Sequence, residues 1–77
     1  MSSAEEVRAS AEILVNAHDR CQRGEIGTEV VHWLAEEHRK VLKAYAPEWK
    51  RKTGKRLFIP ADNRRLITVV VRGRRGY

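Results

Sequence analysis

The 77-residue sequence predicts one small α+β domain: two antiparallel amphipathic helices, a short third helix, and a C-terminal two-stranded β-hairpin. Three observations carry that expectation. Between residues 3 and 46, apolar side chains recur at three- and four-residue spacings on either side of a glycine-containing turn. The stretch "PADNR" at 60–64 has turn composition. The run "LITVVV" at 66–71 is almost wholly β-branched, which favours a strand.

The first helix begins at Ser3, whose spacing from Glu6 fits a capping box. Val7, Ala11, Leu14, His18 and Cys21 then mark its core face, and Gly24 is placed to end it in a left-handed cap. Ala9, Ile13 and Ala17 form a second apolar strip away from the first. Such a strip on a core helix suggests a further surface that something else covers. After "GEIG", Thr28 is the expected N-cap of the second helix, and Glu29 favours its first turn. Val30, Val31, Leu34, His38, Val41, Leu42 and Tyr45 share one side, opposite His32, Glu36, Arg39, Lys40 and Lys43. Pro47 lacks an amide donor and disfavours helical geometry at Ala46, so a break or kink is expected there. "PEWKRK" would then form the short third helix, closed by Gly54.

Beyond it, Arg56–Ile59 reads as one strand and Leu66–Arg72 as the other. Period-two alternation turns Leu57, Ile59, Ile67, Val69 and Val71 inward, and Arg56, Phe58, Leu66, Thr68, Val70 and Arg72 outward. An isolated hairpin is marginal in water, so this one should lie on the helices. Its outward Leu66–Thr68–Val70 row and the Ile13 strip are the expected surfaces for a homodimer. Two helices, a short turn and a hairpin have the layout of a winged helix-turn-helix, although the acidic start of the second helix makes a poor recognition element.

Charge is the most informative compositional feature. Residues 1–38 carry three arginines against eight acids, a net of −5; residues 39–77 carry thirteen Lys or Arg against Glu48 and Asp62, a net of +11. That asymmetry points to a polyanionic partner, either nucleic acid (DNA or RNA) or an acidic protein. The cations form three groups: Lys50, Arg51, Lys52, Lys55 and Arg56; then Arg64 and Arg65 at the hairpin turn; then Arg72, Arg74 and Arg75 at the tail. Each neutralised phosphate releases counterions, so such contacts sum along a backbone. Trp49 and Phe58 are the candidate planes for base stacking, whereas Trp33 and Tyr45 are expected to pack in the fold.

Other chemistries find no constellation. His32 and His38 lie six apart, on different faces of a helix, and His18 and Cys21 fall on a core stripe, so no metal site is expected. "KTGK" at 52–55 lacks the order of a phosphate loop. Glu36 and Glu37 diverge on a helix and make poor paired acids. No cofactor or catalytic group is expected. A single cysteine allows no internal disulfide, and no run reaches membrane-spanning length, so a soluble cytoplasmic protein is expected. The expectation from sequence is a non-enzymatic, small regulatory or architectural nucleic-acid-binding protein; the alternative is an adaptor or inhibitor that docks its basic half on an acidic protein.

Overall fold

A computed structural model describes residues 3–75 as three helices: α1 (Ala4–Gln22), α2 (Thr28–Thr53) and α3 (Asn63–Arg75). The first forms as the sequence predicts, and the second begins near its predicted start. Ser3 caps α1, its Oγ accepting from the Glu6 amide at 3.2 Å, and Gly24 adopts the left-handed conformation (φ 77°) just beyond the last turn. The N-cap of α2 is Gly27, one residue earlier than expected, and no side chain caps it.

Two expectations fail inside the helical half. α2 runs unbroken through Pro47 to Thr53, so "PEWKRK" is the end of α2 and not a third helix. Pro47 and Lys43 are both exposed, so the hydrogen bond that proline cannot donate to the Lys43 carbonyl is lost on the solvent side of the helix, where the loss is mild. Gly54 closes the helix in the left-handed region (φ 73°), its amide donating to Lys50 O at 2.8 Å. Trp33 is exposed, whereas Tyr45 is buried.

The C-terminal half overturns the α+β class: among the described residues there is no strand, and the expected hairpin is a loop followed by α3. The fold is all-α. "PADNR" is a helix start: the Asp62 side chain accepts from the Arg64 amide at 3.3 Å, and the Asp62 carbonyl accepts from Leu66 at 3.0 Å. Leu66 and Ile67 are buried, with Val70 and Val71 packed beside them, a 3.6-residue pattern. A strand would have turned Leu66 and Val70 outward. The helix instead buries Leu66 to 1 % exposure and leaves Val69, expected inside, 46 % exposed. Helix propensity opposes this choice by about 2–3 kcal/mol summed over five β-branched residues, but each fully buried Leu or Ile contributes about 1.5–3 kcal/mol. Burial wins. Thr68 is tolerated because its hydroxyl donates to the Arg64 carbonyl at 2.9 Å.

Residues 56–59 form no regular secondary structure; Leu57 and Ile59 pack on the core as alternation requires, and Phe58 is exposed. The winged layout therefore has no wing, and the outward strand row proposed for self-association does not exist.

The core joins Leu14 and Ala17 of α1, Val31, Ala35 and Leu42 of α2, and Leu66 and Ile67 of α3. His38 is buried within it at 2 % exposure, its Nδ1 2.9 Å from Ser10 Oγ on α1. Burial holds its pKa below the ordinary value near 6.5, because the charged ring cannot be solvated there. The unfolded chain therefore binds the proton first as pH falls below that value, and folding stability declines with it. We expect the thermal midpoint to drop between pH 7.5 and 5.5, and His38→Gln to flatten this part of the profile in a calorimetric pH series. No described helix is long and apolar enough to cross a membrane.

Candidate nucleic-acid interface

The cationic residues fall on three consecutive pieces of chain. Lys50, Arg51 and Lys52 end α2, where the carbonyl end of the helix favours positive charge. That local effect accounts for part of their placement without any partner. Thr53 fixes the exit, its hydroxyl donating to Trp49 O at 2.9 Å and accepting from the Lys55 amide at 3.1 Å. Lys55 and Arg56 follow, both exposed. These five residues are brought together around one end of α2.

The loop then returns along α2, secured by Arg39. Its Nε donates to Pro60 O at 3.1 Å and its Nη2 to Asn63 Oδ1 at 2.7 Å, which ties the loop and the first residue of α3 to α2. Asn63 also lies 3.3 Å from His32 Nδ1. Arg39 is thus committed to structure. Phe58 is 62 % exposed, and the Arg65 guanidinium sits 5.4 Å from its ring centroid, a cation–π pair open to solvent. The other candidate stacking plane is less free: Trp49 is half-buried, with its ring 6.4 Å from that of Tyr45.

Arg64 and Arg65, expected together at a hairpin turn, diverge because consecutive helical residues point about 100° apart. Arg65 reaches Phe58, whereas Arg64 lines a cleft of about 360 Å³ where the three helices meet, with His18, Cys21, Thr28 and His32. Arg72 is exposed, seven residues beyond Arg65 and therefore on the same side of α3. The backbone of α3 includes Arg74 and Arg75, whose side chains lie outside the described residues.

Pairing decides whether these charges are free. Ion pairs among the described residues include Arg20–Glu25, Arg23–Glu25, Lys40–Glu37 and, when the ring is protonated, His18–Asp19. The Glu25 carboxyl is held below its ordinary pKa by the hydrogen bond from Arg23, with Arg20 adding to the effect. Every one of these pairs lies within residues 18–40. None involves Lys50, Arg51, Lys52, Lys55, Arg56, Arg64, Arg65 or Arg72. Glu25 is neutralised by its neighbours Arg20 and Arg23 and Glu37 by Lys40, so these acids are paired locally and none of these pairs reaches the cations from Lys50 to Arg72.

One contributor escaped sequence reasoning. Lys43 is exposed and without an ion pair among the described residues, and it stands seven residues before Lys50 on the outer face of α2. The signal was present as an i, i+7 spacing, but the expected break at Pro47 cut the helix between them. No known protein family, curated protein or solved structure matches the chain.

Proposed function

We propose that this chain is a non-enzymatic nucleic-acid-binding protein of the cytoplasm, a small regulatory or architectural factor. Its contact surface comprises the end of α2, the following loop and the outer side of α3. One observation carries the reading: eight exposed or cleft-lining cations from Lys50 to Arg72 have no carboxylate partner among the described residues. Unneutralised charge held on a rigid helical frame is what a phosphate backbone rewards, since the counterions it releases outweigh the modest ordering of surface side chains. The open Phe58–Arg65 pair adds a plane on which an unpaired base can stack.

Electrophoretic mobility of random DNA and RNA at low salt tests this. We expect a shift at low micromolar protein that weakens steeply as salt rises. Arg64→Glu with Arg65→Glu should reduce it about tenfold or more while leaving the circular dichroism spectrum helical. No shift with either nucleic acid would sink the reading and favour an acidic protein as the occupant of the same surface.

A further inference from the structure

Among the described residues, three of the five large exposed apolar side chains lie together along the seam between α1 and α2: Ile13 at 55 %, Val30 at 40 % and Trp33 at 59 % exposure. Two grooves of about 390 and 280 Å³ meet there, and both are lined by Ile13 and Leu34. They form one apolar furrow. Its ends differ in charge: Glu6 and Glu37 border the first groove, and Arg20 borders the second.

We infer that this seam binds a second copy of the chain, with α1 packed antiparallel on α1 of the partner about a two-fold axis at Ile13. The register of α1 is symmetric about that residue. Ala9 stands four residues before it and Ala17 four after; Glu6 stands seven before and Arg20 seven after. A two-fold axis there sets Ile13 against its own copy, places the exposed Ala9 of each chain over the partner stretch around Ala17, whose side chain is buried in its own core and does not protrude, and brings Glu6 of each chain to Arg20 of the other. Seven helical residues span about 10.5 Å, so both charge contacts fall at equal distances from the apolar centre. Trp33 flanks that centre and is the residue type that most often anchors an interface. Glu37 and Arg20 already have partners in Lys40 and Glu25, each at 3.3 Å, but these are exposed pairs that exchange readily. A standard interface takes about 800 Å² from each partner, roughly one-seventh of the 5542 Å² this chain exposes.

This inference does not rest on the nucleic-acid reading, and its test contains no nucleic acid. Sedimentation equilibrium of the full chain, from low micromolar to several hundred micromolar, should show a transition from one to two chain masses. Ile13→Glu and Trp33→Ala, both at exposed positions, should each weaken association at least about tenfold with the helical spectrum retained. Glu6→Arg alone and Arg20→Glu alone should each weaken it, because each places like charges across the axis; the double swap should restore it. A single chain mass at every concentration overturns the inference. So does a dimer indifferent to Ile13→Glu and Trp33→Ala, or a double swap that fails to recover association.

Discussion

Leu66→Ala should unfold much of the population at 37 °C, whereas Val69→Ala, three residues on, should hardly change stability. Leu66 is 1 % exposed, between α1 and α2 in the core that all three helices share. Truncating a leucine in such a place costs about 2–5 kcal/mol, from lost transfer energy and the cavity left behind. That is comparable to the whole stability of a domain this small, for which about 5 kcal/mol is ordinary. Val69 is 46 % exposed, and surface truncations usually stay within about 0.5 kcal/mol. A β-hairpin would invert the order, because it turns Val69 inward and Leu66 outward. Urea denaturation of the two variants measures the difference; equal midpoints would contradict α3 as described.

Reversing Lys50, Arg51 and Lys52 to glutamate should have the largest effect on binding. Each phosphate contact contributes about 0.9 to the slope of log K against log salt, so loss of three should lower the slope by about 2.7. At about 0.1 M salt that corresponds to two to three orders of magnitude in affinity. Filter binding across a salt series reads both quantities. The triple variant should still fold, since all three side chains are exposed and have no ion pair among the described residues; it loses only their favourable interaction with the C-terminus of α2. An unchanged slope would show that the end of α2 is not part of the contact surface.

The candidate site was legible as a list of residues but not as an arrangement. Lys50, Arg51, Lys52, Lys55 and Arg56 are neighbours in sequence, and helix plus short loop keeps them so. Arg64 and Arg65 were expected side by side, and the helical period separates them into a cleft and a cation–π pair. Lys43 joins the outer face only because α2 continues through Pro47.

The sequence alone determined the caps at Ser3, Gly24 and Gly54, the pairing of α1 with α2, the exposure of Ile13 (although Ala17, expected beside it, is buried), and the separation of charge between halves. Each of these is local: a cap needs four consecutive residues, an amphipathic face needs one helix, and charge is simply counted. Only tertiary structure decided the state of residues 63–75. There local preference and periodicity disagree, since β-branched side chains favour a strand while Leu66, Ile67, Val70 and Val71 are spaced for a helix. The open groove between α1 and α2 resolves it, because a helix seats those four side chains in the shared core and a two-stranded hairpin would have left two of them in water.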